Sequence, residues 1–157
     1  MSQLSPDNYR LILEELLLKK NPVKVSVRGM SMFPMLMKDD LVIVSPTNYQ
    51  ELKKGDIVVF EKNDTLVAHR LLDKQDGFLL TRGDGNRCAD QALAYEKVKG
   101  KVSQVVKSRW KIAKYATRKP GRILAYTGTV TGSLFWASGI IAYKLVLLCR
   151  RLKTHNS

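Results

Sequence analysis

Leu66-Val67-Ala68-His69-Arg70-Leu71-Leu72, a polar turn around Asp76-Gly77, and then Phe78-Leu79-Leu80-Thr81: this stretch carries the strongest signal of fold class in the chain. Two apolar runs of strand length flank a dipeptide suited to tight turns, so residues 66–81 are predicted to form a β-hairpin. Toward the N-terminus, residues 23–27 alternate apolar and polar side chains, as a half-buried strand does. Residues 41–44 read as a buried-type strand, residues 57–60 start a strand after the turn Lys54-Gly55-Asp56, and residues 98–106 close the series. No internal repeat is apparent. Residues 23–106 are therefore expected to make one mainly β domain.

Before that domain, residues 5–20 carry a helical pattern. Ser5 can cap, Pro6 suits the first turn and Asp7 complements the helix dipole. Tyr9, Ile12, Leu13, Leu16 and Leu17 fall on one side, Glu15 can pair with Lys19, and Asn21-Pro22 ends the helix. The run is too short, and too interrupted by Glu14 and Glu15, to span a bilayer. No cleavable secretory leader is visible at the N-terminus.

Charge is distributed unevenly over the 157 residues. Of 27 Lys and Arg, twelve lie at 101–157 with no Asp or Glu among them, leaving fifteen in the first hundred residues against all fourteen acids. A near-neutral domain is thus followed by a basic appendage. Such an appendage can bind nucleic acid through phosphates or lie against anionic lipid. The residues within it favour lipid. Residues 107–122 read as a basic linker containing Pro120-Gly121, residues 123–149 as a membrane segment and residues 150–157 as a basic tail. Residues 123–148 hold one charge, Lys144, in twenty-six positions. As a helix they would be about 39 Å long, against a hydrocarbon core of about 30 Å. A helix lying at the interface and a buried core helix are the rival readings, and Thr127, Thr129, Thr131 and Ser133 weaken the membrane signal. Cys88 and Cys149 make no disulfide framework and read as two unpaired thiols.

Ser31 stands out through its setting, Gly29-Met30-Ser31-Met32-Phe33-Pro34. It comes after a strand, Gly29 is expected to allow backbone conformations closed to other residues, and Pro34 stiffens the segment beyond it. Such a turn can present a hydroxyl with backbone N–H groups beside it, as an acyl-transfer nucleophile requires. An ordinary Met-rich apolar turn fits the same segment. Of the two histidines, His155 lies near the end of the basic tail and reads as solvated, whereas His69 sits inside a predicted strand. A strand histidine is commonly structural, but a neutral imidazole is also the simplest general base at neutral pH. It needs a partner to set its tautomer, and Arg82-Gly83-Asp84-Gly85-Asn86-Arg87-Cys88-Ala89-Asp90 offers two carboxylates, Asp84 and Asp90.

Taken in order, these segments resemble the signal peptidase I family. The serine box resembles residues 29–34, and the strand after it Asp39-Asp40-Leu41-Val42-Ile43-Val44. Further boxes resemble Gly55-Asp56-Ile57-Val58-Val59-Phe60, Val67-Ala68-His69-Arg70, Arg82-Gly83-Asp84-Gly85-Asn86 and Gly100-Lys101-Val102. Bacterial-type members and the related self-cleaving repressors carry Lys at the base position. With His69 there, the chain looks like the endoplasmic-reticulum and archaeal type, which also occurs in some bacteria. In that branch the third member is an acid a few residues beyond the Gly-Asp box. That rule implies Asp90, with Asp84 supporting the structure; Ala89 departs from the branch, which often has a second Asp there. Two further departures are the missing N-terminal anchor and the missing β insertion, since thirteen residues separate Arg70 from Asp84.

The resemblance implies a serine endopeptidase that cleaves a signal or leader peptide through an acyl-enzyme. Ser31 would attack, His69 would act as base and Asp90 would orient it. Backbone N–H of Ser31 and of Met30 would form the oxyanion hole, with no metal or cofactor. The implied partners are a peptide or precursor-protein substrate, bound as an added strand, and membrane lipid. Three rivals are a self-cleaving repressor, a non-catalytic relative that binds peptide and a basic nucleic-acid-binding module. The first would need a DNA-binding domain and Lys at position 69; the third would not need residues 123–148. Resemblance puts the catalytic domain on the outward face of the membrane, where signal peptidases cut exported chains after translocation. The flanking charges, eight basic residues at 101–122 against Arg150, Arg151 and Lys153, put it on the cytoplasmic face.

Overall fold

The computed structural model describes residues 15–17, 19–63 and 65–123. Among them, seven strands form one antiparallel sheet: β1 (Val23–Ser26), β2 (Leu41–Ser45), β3 (Ile57–Lys62), β4 (Thr65–Gln75), β5 (Phe78–Arg82), β6 (Leu93–Ala94) and β7 (Val98–Lys107). Their order across the sheet is β1-β2-β7-β3-β4-β5-β6. The mainly β class expected from the sequence is the class observed.

The hairpin of residues 66–81 forms as β4 and β5. Gln75 faces Phe78, so Asp76 and Gly77 are the whole turn, at φ 49 and 82. Two successive residues in the left-handed region make the turn whose twist matches that of the strands, and Asp-Gly is among the pairs that enter it most cheaply. β4 runs three residues beyond the predicted end at Leu72, with a register shift between Leu71 and Asp73. β3 and β4 also form a tight hairpin, with Lys62 opposite Thr65 and Asn63 at φ 48. β6 was not anticipated; two residues are too few to show a period.

β7, the last strand, enters between β2 and β3, where Val44 faces Val102 and Val59 faces Gly100. The interior is divided by the sheet. Ile57 and Val59 join Met32, Leu36, Val42, Val44 and Val102 in one cluster. Val58 and Phe60 join Leu52, Leu71, Leu79 and Leu93 in the other. Successive strand residues point to opposite faces, so the unbroken apolar run of β3 marks a strand covered on both sides. β2 differs from the buried-type reading: Val42 and Val44 are buried, but Leu41 and Ile43 are half-buried. It is covered well on one face only.

Residues 15–17 are helical, and the helix stops where Asn21-Pro22 predicted. Lys20 takes φ 59, its N–H donates to the Leu17 carbonyl and Asn21 N–H donates to the Leu16 carbonyl, a Schellman helix end. Leu17 is buried in the first cluster. Residues 111–115 and 119–122, within the stretch read as a basic linker, form a 3-10 turn (Lys111–Tyr115) and one α-helical turn (Lys119–Arg122). Ala113 and Ala116 are fully buried, and Arg122 pairs with Asp56. No helix of the described residues is long and apolar enough to cross a membrane. The expected membrane segment lies outside the described residues from position 124 onward, as do residues 1–14 of the N-terminal segment.

Candidate active site

Ser31 lies in a loop between β1 and β2 that is closed at its base. Val27 N–H donates to the Asp40 carbonyl and Asp39 N–H to the Val27 carbonyl, both at 2.8 Å. Two apolar side chains, Met32 and Leu36, plug the loop into the first cluster, while Met30 stays exposed. Leu36 N–H donates to the Met32 carbonyl (2.9 Å), and the buried Asp40 carboxylate accepts from Met37 N–H (2.9 Å). Apolar anchors directly after it thus hold Ser31 at the rim of the core, half-buried.

The same loop rests on the turn after β5. Gly85 N–H donates to the Ser31 carbonyl at 2.9 Å. A Cβ on Gly83 would stand 2.4 Å from that carbonyl oxygen, so glycine is required there by contact. Gly29, by contrast, is outside the left-handed region, and a Cβ added to it would meet nothing within 4 Å. The freedom expected at Gly29 is not used. The positive φ near this loop belongs to Asp39, at 73°.

His69 lies in the middle of β4, opposite Val58 of β3, 5% exposed and edge-on to Phe60 with ring centroids 5.8 Å apart. Its Nδ1 is 2.6 Å from Asp90 Oδ2. The same oxygen accepts from Thr81 Oγ1 at 2.8 Å, and Oδ1 accepts from Lys62 Nζ at 3.1 Å. Asp90 is itself placed by its backbone, whose N–H donates to the Thr81 carbonyl at 2.7 Å. Burial pushes the Asp90 carboxyl up, but hydrogen bonds from His69 and Thr81, the His69 charge and the Lys62 bond outweigh it and hold the group at about 2. An ionised carboxylate only accepts, so Nδ1 carries the proton, and in the neutral ring the lone pair is on Nε2. Among the described residues no hydrogen bond joins Ser31 to His69. In ligand-free sites such bonds are often long and tighten only with substrate.

Asp84 is engaged elsewhere. Arg70, next to His69 on β4, donates Nε and Nη2 to its two oxygens at 2.6 Å each. Arg70 Nη1 also donates to the Gly55 carbonyl (2.8 Å) and the Ala116 carbonyl (3.1 Å). Both partners are buried, so the pair is a two-pronged clamp under the turn that carries Ser31. Of the two carboxylates left open by the turn sequence, Asp90 meets His69 and Asp84 meets Arg70. Thr81, Lys62 and Arg70 were not picked out from the sequence. Only Arg70 gave a signal: a charge inside an apolar strand needs a buried counter-charge.

A family model described as peptidase S24-like matches residues 2–102, which include Ser31, His69, Asp84 and Asp90. The chain belongs to the peptidase S24-like family. No curated protein matches it. The S24-like family is of serine-peptidase type and includes non-catalytic members. Its match covers the whole series of predicted boxes up to Gly100-Lys101-Val102.

Proposed function

We propose that this S24-like protein is a serine endopeptidase of the signal-peptidase type, cutting a signal or leader peptide through an acyl-enzyme on Ser31. The observation that carries this reading is the 2.6 Å contact of His69 Nδ1 with Asp90, which leaves Nε2 as a base. Ser31 Oγ attacks the scissile carbonyl while His69 Nε2 takes its proton, giving a tetrahedral oxyanion and an imidazolium facing Asp90. The backbone N–H groups of Ser31 and Met30 receive the oxyanion charge. Collapse expels the amine, which takes the proton from Nε2 and leaves an ester on Ser31. Water then enters by the same route, giving its proton to Nε2, and the carboxylic acid departs as Ser31 regains its hydrogen.

His at position 69 favours the endoplasmic-reticulum and archaeal type of signal peptidase over the Lys-based branch and the self-cleaving repressors. β1 is an edge of the sheet and runs into the Ser31 loop, which suits a substrate added as a further strand. The test is to incubate the purified chain with a library of leader peptides carrying small residues before the cut, beside Ser31→Ala and His69→Ala. Cleavage by the parent alone is expected, with the double variant no worse than either single one, since such residues act as a unit. Near-normal turnover by His69→Ala would remove His69 from the mechanism. Binding of peptides without cleavage by the parent would favour a peptide-binding relative.

A further inference from the structure

We propose that the outer face of residues 110–123 is a bilayer-docking surface for anionic lipid that lays the mouth of the Ser31 site against the membrane. The 3-10 turn Lys111–Tyr115 creates the face. Its hydrogen bonds run three residues back, from Ala113 N–H to Trp110 and from Ala116 N–H to Ala113, so side chains three apart stack in rows. One row, Ala113 and Ala116, is fully buried against the domain. A second row, Ile112 and Tyr115, is exposed and apolar, and the third, Lys111 and Lys114, is exposed and basic.

Trp110 and Ile123 extend the exposed apolar surface at either end, at 45% and 57% exposure. Arg118 and Lys119 extend the exposed basic surface, and residues 107–122 contain no acid. Aromatic and aliphatic side chains rimmed by Lys and Arg fit the headgroup region of an anionic bilayer. A polyanion such as RNA would use the basic row but leaves Ile112 and Ile123 in water. The chain also continues from Ile123 into the apolar residues 124–148, which would bring a bilayer to this side.

The face is held in a definite place. Arg70 holds the Ala116 carbonyl, Arg122 pairs with Asp56, and Trp110 packs edge-on against Phe33 with centroids 6.2 Å apart. Phe33 is two residues from Ser31, and exposed Met30 lies on its other side. A membrane touching Trp110 would therefore lie beside the nucleophile loop, where a peptide emerging from the bilayer surface reaches it.

The test uses the full chain and no turnover, so it stands apart from the peptidase reading. Trp136→Phe leaves Trp110 as the sole tryptophan; Trp110→Phe leaves Trp136 as a reporter for the apolar segment. Each is reconstituted with acyl-brominated lipid in phosphatidylcholine alone or with phosphatidylglycerol. Trp110 should be quenched with phosphatidylglycerol, and several-fold less so after Lys111→Gln, Lys114→Gln, Arg118→Gln and Lys119→Gln together. Quenching of Trp136 without quenching of Trp110 would overturn the surface while keeping the anchor. Absence of quenching at both, or charge-dependent binding of a single-stranded oligonucleotide with no lipid contact at Trp110, would overturn it too.

Discussion

Asp90 receives three side-chain donors from three strands, His69 on β4, Thr81 on β5 and Lys62 on β3. Its carboxyl is held at about 2, below the ordinary 3.8. A depressed carboxyl stabilises the fold fully above its unfolded value and loses that contribution as pH falls through its folded value. Asp90→Asn should therefore cost stability at pH 6, and the gap from the parent should close between roughly pH 4 and 2, read as urea midpoints at each pH. A gap that stays constant to pH 2 would mean that the charge of Asp90 contributes nothing. The two glycines near the nucleophile separate contact from chance. Gly83→Ala should push the Ser31 carbonyl aside and cut kcat/KM by an order of magnitude or more, because small misplacements of a nucleophile cost about 100-fold. Gly29→Ala, with open space around it, should keep both fold and turnover, as circular dichroism and peptide assays would show.

Among the elements, the β4–β5 hairpin is the piece most completely specified by local sequence. Its turn needs two residues at positive φ, and Gly77 at φ 82 is the second. Gly77→Ala should cost about 1–2 kcal/mol, the penalty of a left-handed residue with a Cβ, and little activity, since Gly77 lies far along the hairpin from His69. A thermal melt unchanged by this substitution would show that the turn rearranges at no cost. The Ser31 loop is specified differently. Its closure depends on Val27 and Asp40, thirteen positions apart in a chain that returns on itself, and on Met32 and Leu36 finding the core. The Met-rich spelling of the loop was visible as apolar; which of its methionines would be buried was not. Met32 is buried and Met30 exposed because the loop turns one of them inward.

Across the molecule, Arg70 joins segments that the chain keeps far apart. It holds Asp84 in the turn after β5, the carbonyl of Gly55 before β3 and the carbonyl of Ala116 after β7. Arg70→Met would strand Asp84, 4% exposed, without its counter-charge. That should destabilise the fold by about 3–5 kcal/mol, whereas Arg70→Met with Asp84→Leu should recover much of the loss. Equal urea midpoints for the single and double variants would show that the buried charge is not the source of the cost. The mainly β class, six of the seven strands and their principal hairpin were legible from residue order alone, because hydrophobic period and turn chemistry are local properties. Ser31, His69 and two carboxylates stood out as candidates from the same residue order. The resemblance pointed to Asp90 as the partner of His69; folding had to settle that Arg70 takes Asp84, that Thr81 and Lys62 share Asp90, and that residues 111–122 dock on the domain. The reason is physical: the hydrogen bond between positions 69 and 90 is set by how the chain beyond β5 folds back onto Thr81, and the one between 70 and 116 by where β7 inserts between β2 and β3, and no local periodicity encodes either.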